Sequence, residues 1–188
     1  MKKYVVFLDL VSSSKLMESL IQSEHYEEYG RFINEFTRII YESAEVNHYQ
    51  IYKFLGDGFI LFFDEARTAD DLIRVIKEDN IKIVKLVKKL IDDFIDVNVE
   101  NIGLTYGISI GHVEKVSNDY FKLNEYYGRA INLASRLQST NKNTNSILIQ
   151  KDVYNKVKDK IIKSQMLETT RTLKNMFDDN KVRCYTFF

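Results

Sequence analysis

A Gly-Asp-Gly tripeptide between two apolar segments constrains the fold of this chain more than any other feature. Residues 49–55 and 59–63 each have the length and the aromatic and β-branched content of a strand, and Gly56-Asp57-Gly58 separates them. An Asp-Gly pair in such a place predicts a tight turn between two neighbouring antiparallel strands. We therefore expect a β-hairpin with a carboxylate at its tip.

The remaining segments predict a sheet covered by helices, because short apolar runs alternate with longer stretches of helical periodicity. Further strands are predicted at 4–10, 102–113, 147–149 and 182–188. Helices are predicted from Leu16, again after His25, from about 68 to 97, at 128–138 and at 151–162. The order β-α-α-β-β-α-β-α-β-α-β indicates a mixed sheet with helices packed on it, an α+β or α/β fold.

The composition is that of a globular chain, and we expect a single domain over residues 1–188. Lys+Arg and Asp+Glu each number 27, so the chain lacks the basic surplus with which nucleic-acid-binding proteins displace counterions. No stretch approaches the roughly 20 apolar residues of a membrane span. The single cysteine, Cys184, suits a reducing compartment. We expect a cytoplasmic protein that binds neither nucleic acid nor a membrane.

Two carboxylates are expected at one edge of the sheet. Asp9 lies near the end of the first predicted strand and Asp57 at the hairpin tip, so the two meet if strand and hairpin are neighbours. Carboxylates a few ångströms apart repel each other unless a cation lies between them. Mg²⁺ is typically held by one or two carboxylates together with substrate phosphates. The pair suits metal-assisted phosphoryl chemistry, but from spacing alone two unrelated aspartates in local turns are the more common arrangement.

Two further segments suit a nucleotide. Ser12 and Ser13 precede a predicted helix, whose first backbone N–H groups attract phosphate. Taken alone, these serines are more typical of N-cap residues. Asn132 and Arg136 are four residues apart and so share one helix face. They form a donor pair for a sugar and a phosphate oxygen, unless the helix is merely an exposed one with a surface ion pair.

The order of these motifs resembles the class III nucleotidyl cyclase catalytic domain, the family of the adenylate and guanylate cyclases. The matching segments are Phe-Leu-Asp-Leu-Val at 7–11, Lys-Phe-Leu-Gly-Asp at 53–57, Tyr-Gly-Ile-Ser-Ile-Gly at 106–111 and the motif at 127–137. The similarity spans nearly the whole chain. It implies an α+β fold, with a ferredoxin-like, palm-type sheet and helices packed on it. It also implies an NTP substrate and a head-to-tail homodimer with two shared active sites.

The resemblance implies how the metal and the phosphates are bound. Asp9, Asp57 and the backbone carbonyl of Leu10 would hold two Mg²⁺ or Mn²⁺ ions per active site. Lys174 is the nearest match to the lysine with which the family grips the triphosphate, although Asn175 stands where the family usually has glycine.

The same resemblance implies that the partner subunit completes each site. Asn132 of the partner subunit would orient the ribose. Arg136 of the partner subunit would stabilise charge on the α-phosphate as the ribose 3′-oxygen attacks it.

Base selection is implied by three positions. Lys53 matches the lysine of adenylate cyclases, whereas Glu125 stands where those enzymes have the shorter aspartate, and guanylate cyclases usually have Glu and Cys at these two places. Tyr52 adds bulk nearby, although a regular strand would turn it away from Lys53. Less room for a purine favours UTP or CTP.

A bare cyclase domain with these features resembles the small solo pyrimidine cyclases of Pycsar antiphage systems. Those enzymes make cyclic UMP or cyclic CMP for a separate effector protein that binds the cyclic nucleotide. The resemblance therefore implies a messenger-forming role in antiphage defence, with such an effector as the downstream partner.

Other functions remain open at this stage. Lys53 also fits an adenylate cyclase that makes cyclic AMP. A catalytically inactive, cyclase-like nucleotide-binding module is a third possibility, although the presence together of Asp9, Asp57, Asn132 and Arg136 counts against it. A diguanylate cyclase-like enzyme is disfavoured because Leu55-Gly56-Asp57-Gly58-Phe59 lacks the second acid of its hairpin motif. A plain interaction domain predicts no metal or triphosphate binding.

Overall fold

The structure is a computed structural model that describes residues 1–95, 102–118, 123–173 and 181–187. Its strands are β1 (Lys2–Val11), β2 (Gln50–Phe54), β3 (Gly58–Asp64), β4 (Gly103–His112), β5 (Glu114–Asn118), β6 (Leu123–Tyr127), β7 (Ser146–Gln150), β8 (Leu167–Thr172) and β9 (Lys181–Phe187). Its helices are α1 (Ser13–Gln22), α2 (Tyr26–Asn47), α3 (Ala69–Phe94), α4 (Arg129–Thr140), α5 (Lys151–Lys156) and α6 (Lys160–Ser164). In this part of the chain a seven-stranded sheet has the order β2-β3-β1-β4-β7-β9-β8, and β5 and β6 form a separate hairpin.

Strand β1 lies in the interior of the sheet, antiparallel to β3 on one side and to β4 on the other. Side chains alternate along a strand, so its two faces have different surroundings. Tyr4, Val6 and Leu8 belong to the main core, which includes apolar residues of α1, α2 and α3. Val5 belongs to a smaller cluster together with apolar residues of α4. The α+β fold with helices packed on a mixed sheet is thus confirmed.

Helix α4 packs closely on the backbone of β4. A Cβ atom at Gly107 would lie 2.1 Å from the carbonyl oxygen of Ala134 and 2.3 Å from the amide nitrogen of Gln138, so only glycine permits this approach. The hydroxyl of Ser109 donates a hydrogen bond of 2.6 Å to the carbonyl of Ala130. These contacts fix the height and direction of α4 over the sheet.

The structure corrects the predicted elements in three places. The single helix expected at 151–162 is broken into α5 and α6, because the Asp159 side chain accepts hydrogen bonds from the amides of Ile161 and Ile162 and so starts a new helix. The hairpin of β5 and β6 was not predicted. Strand β8 was also missed, since its sequence Leu-Glu-Thr-Thr-Arg-Thr is mostly polar and lies at the sheet edge. Among the described helices, none combines the length and apolarity that crossing a bilayer requires.

Candidate active site

The β2–β3 hairpin brings Asp57 to Asp9. Asp9 pairs with Gly58 across β1 and β3, and the Leu10 amide donates a hydrogen bond of 3.0 Å to the Asp57 carbonyl. A Cβ at Gly58 would lie 2.3 Å from the Leu8 carbonyl oxygen, so this position needs glycine. The two carboxylates therefore stand at the same edge of the sheet, and the turn chemistry of the hairpin puts them there.

The Asp9 carboxylate lies in an environment that disfavours its negative charge. Burial, and next the negative charge of Asp57, raise the pKa of Asp9 from 3.8 to about 6. Gln138 acts in the opposite direction, since its Nε2 donates a hydrogen bond of 3.3 Å to Asp9 Oδ2. The same Nε2 donates a bond of 2.9 Å to the hydroxyl of Thr105. Across the cleft, the Ser13 hydroxyl donates a hydrogen bond to the Asp57 carboxylate.

The donor set at this edge fits a hard divalent cation. Asp9 and Asp57 line an open cleft of about 540 Å³, and Leu10 lines it too although its side chain packs in the core. A cation between the carboxylates would offset the repulsion that raises the Asp9 pKa. Within the described ranges no cluster of three or more His, Cys, Asp or Glu residues exists. The described residues thus offer few ligands, which suits an ion that keeps waters and binds substrate phosphates.

The start of α1 forms another wall of the same cleft. Ser12 precedes the helix in a left-handed conformation with φ of 62°, and its side chain makes no capping hydrogen bond. The hydroxyl of Ser13 is directed to Asp57. Simple N-cap chemistry therefore does not account for these serines, and the amides of the first helical turn lie next to the acidic pair. Lys174 lies outside the described residues.

A second cluster joins Tyr52, Lys53 and Glu125. The Tyr52 hydroxyl donates a hydrogen bond of 2.6 Å to Glu125 Oε2, and Lys53 Nζ lies 3.1 Å from Oε1 and 3.2 Å from Oε2. These bonds, that of Tyr52 first, hold the pKa of Glu125 below its usual value. Ring stacking of Tyr52 on Phe62, with centroids 4.8 Å apart, closes the inner side of the cluster.

An irregularity in β2 explains why both neighbours reach Glu125. The register between β2 and β3 shifts between Ile51 and Lys53, as in a β-bulge. The expectation that Tyr52 turns away from Lys53 holds only for a regular strand and is wrong here. The bulge thus lets two adjacent side chains of β2 contact one acid of β6.

Asn132 and Arg136 lie on α4 and outside the acidic cleft. The helix buries Ala130, Leu133, Ala134 and Leu137, whereas Asn132 is exposed and Arg136 is partly exposed. Among the described residues, neither side chain makes a hydrogen bond or an ion pair. One chain therefore does not assemble the acidic pair and this donor pair into a single constellation.

Two further residues, Gln138 and Thr105, lie near the acidic pair and were not predicted from the sequence. The available signal was spacing, since Gln138 follows Ala134 by four residues and so lies on the α4 face that packs on Gly107. Thr105 pairs with Asp9 across β1 and β4.

Comparison with protein families decides the relationship of this fold and site to known proteins. A family model for the adenylate and guanylate cyclase catalytic domain matches residues 3–187. The chain belongs to this cyclase family. The palm-type sheet of the cyclase domain agrees with solved structures. The adenylyl cyclase CyaB from P. aeruginosa has a TM-score of 0.77 at 22% identity, with 100% of this chain and 93% of that one covered.

Two further solved cyclases share the fold of this cyclase domain. The guanylyl cyclase Cya2 has a TM-score of 0.70 at 14% identity, with 99% of this chain and 91% of that one covered. A non-canonical dimeric guanylyl cyclase domain of the RhoGC fusion protein from the aquatic fungus Blastocladiella emersonii has a TM-score of 0.56 at 18% identity, with 100% of this chain and 96% of that one covered. Comparison with curated proteins gives no match. Cyclases of this family generally depend on divalent metal ions.

Proposed function

We propose that this cyclase domain converts an NTP into a 3′,5′-cyclic nucleotide and pyrophosphate, at two sites that a homodimer shares. The observation that carries the proposal is the separation within one chain of the acidic pair, Asp9 and Asp57, from the donor pair, Asn132 and Arg136. A symmetric head-to-tail dimer brings the acidic pair of each copy to the donor pair of the other. Each dimer then contains two identical composite sites.

In the reaction, the ribose 3′-oxygen forms a bond to the α-phosphorus. The bond from that phosphorus to the bridging oxygen of the pyrophosphate breaks, and the 3′-hydroxyl proton passes to solvent water. Asn132 of the partner subunit accepts and donates hydrogen bonds to hold the ribose. Arg136 of the partner subunit donates to the α-phosphate oxygens, where negative charge develops. The first amides of α1, with Ser12 and Ser13, bind the triphosphate, and Lys174 adds a positive charge to it.

Two Mg²⁺ or Mn²⁺ ions are the proposed cofactors of each site. Asp9, Asp57 and the carbonyl of Leu10 would hold them, and the chemistry they supply when bound is neutralisation of phosphate charge and a lower pKa of the 3′-hydroxyl. The two carboxylates are oriented before any ion binds, because the glycine turn fixes the position of Asp57 and the hydrogen bond from Gln138 orients Asp9.

The base-selecting cluster favours UTP or CTP over ATP. Glu125 is ionised and accepts hydrogen bonds, whereas Lys53 donates them, so the pair matches adjacent donor and acceptor groups on the edge of a base. The longer acid, and a Tyr52 ring fixed against Phe62, leave a shallower space than an aspartate would. ATP is the second candidate, because Lys53 matches the lysine of adenylate cyclases.

The product would act as a second messenger. By the resemblance to Pycsar cyclases, a separate effector protein would bind the cyclic pyrimidine nucleotide during antiphage defence. A cyclase-like module without activity is the competing interpretation, and it predicts nucleotide binding without turnover.

Subunit mixing tests the proposed function. Asp57→Ala and Arg136→Ala are each expected to be inactive or nearly so, since a charge-stabilising donor is worth about 10²–10³ in rate. In a mixed dimer one site collects both defects and the other collects none. With random pairing half the dimers are mixed, so recovery approaches roughly a quarter of the parent activity. No recovery despite demonstrated subunit exchange would refute the composite site.

A further inference from the structure

Helix α4 carries side chains that point to two different places. Asn132 and Arg136 lie outside the acidic cleft, whereas Gln138, only two residues after Arg136, lines it. Residues two apart on a helix are about 200° apart around its axis, so they face nearly opposite directions. The end of α4 therefore faces two different surroundings, and the donor pair of Asn132 and Arg136 does not include the residue that contacts Asp9.

The Gln138 side chain is held on both sides. Its Nε2 donates to Asp9 Oδ2 at 3.3 Å and to the Thr105 hydroxyl at 2.9 Å. The close approach of α4 at Gly107 fixes its backbone, since the Gln138 amide nitrogen would lie 2.3 Å from a Cβ there. Just beyond the helix end, the buried Asn141 side chain donates 2.9 Å to the Ser146 carbonyl and anchors α4 to β7. The amide of Gln138 is thus pre-organised.

Gln138 determines how the Asp9 carboxylate is oriented. One carboxylate oxygen, Oδ2, accepts the bond from Gln138, while Oδ1 lies over the hairpin, 3.0 Å from where a Cβ of Gly58 would be. Among the described residues, Asp57 is the other side chain in hydrogen-bonding contact with Asp9, and Gln138 is the uncharged donor to it. The orientation of Asp9 therefore depends on Gln138, on Asp57 and on the space above Gly58.

We propose that Gln138 is a positioning residue for Asp9 and belongs to the acidic half of the site, although its neighbour Arg136 serves the opposite site of the dimer. This inference rests on the proposed function for the assignment of Arg136. Its geometric part, that Gln138 orients Asp9 for cation binding, stands without any turnover. The two parts have separate readouts.

Binding of Mn²⁺ alone, measured by isothermal titration calorimetry on the full chain, tests the geometric part. Residues that orient metal ligands typically change affinity by about 10–100-fold, so Gln138→Ala should weaken Mn²⁺ binding within this range. Gln165→Ala, an exposed glutamine at the end of α6, is the matched control and should bind as the parent does. Parent-like affinity in Gln138→Ala, or no Mn²⁺ binding by the parent chain, would overturn the proposal.

Thr105 supplies a second pair of variants in case Gln138→Ala does not fold. Thr105→Val keeps the shape of the side chain but removes the oxygen that accepts from Gln138, whereas Thr105→Ser keeps that oxygen. We expect Thr105→Val to weaken Mn²⁺ binding more than Thr105→Ser does, with equal melting temperatures. Equal affinities in the two variants would contradict the orienting role.

Subunit mixing tests which half of the site Gln138 serves. Gln138→Ala mixed with Arg136→Ala should recover roughly a quarter of the parent activity, because one site of each mixed dimer is intact. Gln138→Ala mixed with Asp9→Ala should recover nothing beyond the residual activities. The opposite pattern would place Gln138 with Arg136 and overturn the assignment. If the Asp57→Ala and Arg136→Ala pair also fails to recover, the composite site is what fails, and the Mn²⁺ titration still decides the role of Gln138.

Discussion

The hydroxyl of Tyr52 donates a hydrogen bond of 2.6 Å to Glu125, 73 residues further along the chain. The bond exists because a bulge in β2 turns Tyr52 and Lys53 toward the same acid. Glu125 is thereby held between two donors. Under the proposed function this cluster faces the base of the nucleotide, so we expect base selection to be the property most sensitive to the pair.

Tyr52→Phe is expected to change base preference more than turnover. The variant keeps the ring stacked on Phe62 but loses the hydroxyl, so Lys53 becomes the remaining donor to Glu125 in this cluster. The acid is then less tightly oriented, and the pyrimidine-to-purine ratio of kcat/KM should fall several-fold. The ratio is measured with the four NTPs in parallel. Tyr41→Phe, on the exposed surface of α2, is the control. An unchanged ratio would show that Tyr52 does not select the base.

Glu125→Asp is expected to raise the use of ATP relative to UTP and CTP. Aspartate is one methylene shorter, so it deepens the space beside Lys53 and restores the acid of adenylate cyclases. The Lys53–Glu125 pair is largely exposed, with side-chain exposures of 47% and 41%, so little stability should be lost. Competition between ATP and UTP or CTP measures the shift, and a variant that favours pyrimidines even more strongly would contradict the prediction.

Asp9→Ala is expected to abolish cyclisation while the chain stays folded. The substitution removes a proposed cation ligand and also relieves repulsion from Asp57, so the melting temperature should not fall appreciably. Turnover and melting are measured on the same preparation. Turnover within a few-fold of the parent, with the same metal dependence, would argue against the two-metal assignment.

Asp79 is expected to make stability depend on pH. Asp79 lies on α3 and is buried. Burial raises its pKa from 3.8 to about 6, although hydrogen bonds from Ser43 and Tyr49 and the positive charge of Lys82 act in the opposite direction. Glu78 adds to the rise. Because the folded chain holds this proton more tightly than the unfolded chain, the stabilisation is present below about pH 4 and is lost as pH rises through 6.

Asp79→Asn removes this titration and is the variant that tests it. Between pH 4 and pH 7 the unfolding free energy of the variant should gain about 2–3 kcal/mol relative to the parent, from 1.36 kcal/mol per pKa unit. Denaturant unfolding at both pH values measures the difference. Asp92→Asn, on the exposed face of α3, should show no such gain. A difference between variant and parent that does not change with pH would contradict the prediction.

Much of the fold could be predicted from the sequence because most of its strands and helices have a local signal, either hydrophobic periodicity or turn residues at their ends. The Gly56-Asp57-Gly58 turn between two apolar segments predicted that these segments form an antiparallel pair of strands. Asp57 then lies beside Asp9 only if β1 pairs with β3, as it does. Strand β8 was beyond this approach because its polar residues carry no periodic signal. The break between α5 and α6 at Asp159 was not predicted, because apolar residues before and after Asp159 suggested one continuous helix.

The contacts of Tyr52 with Glu125 and of Gln138 with Asp9 could not be predicted from the sequence, because they depend on tertiary geometry. The bulge at Tyr52 has no sequence marker, and the alternation rule pointed in the wrong direction. Gln138 reaches Asp9 only because Gly107 lets α4 approach β4 closely, which no local pattern in the sequence of α4 reveals. The separation of Arg136 from the acidic pair was expected from the family resemblance alone, and no local pattern in the sequence indicated it.

The most direct measurement is incubation of the purified chain with an equimolar mixture of ATP, GTP, CTP and UTP and Mn²⁺, followed by identification of the products by mass. We predict a 3′,5′-cyclic pyrimidine nucleotide with one pyrophosphate released per molecule, and no such product from Asp57→Ala. Cyclic AMP as the main product would overturn the base preference and leave the cyclase activity standing. No cyclic nucleotide from any of the four substrates, with the protein folded and dimeric, would contradict the proposed function itself.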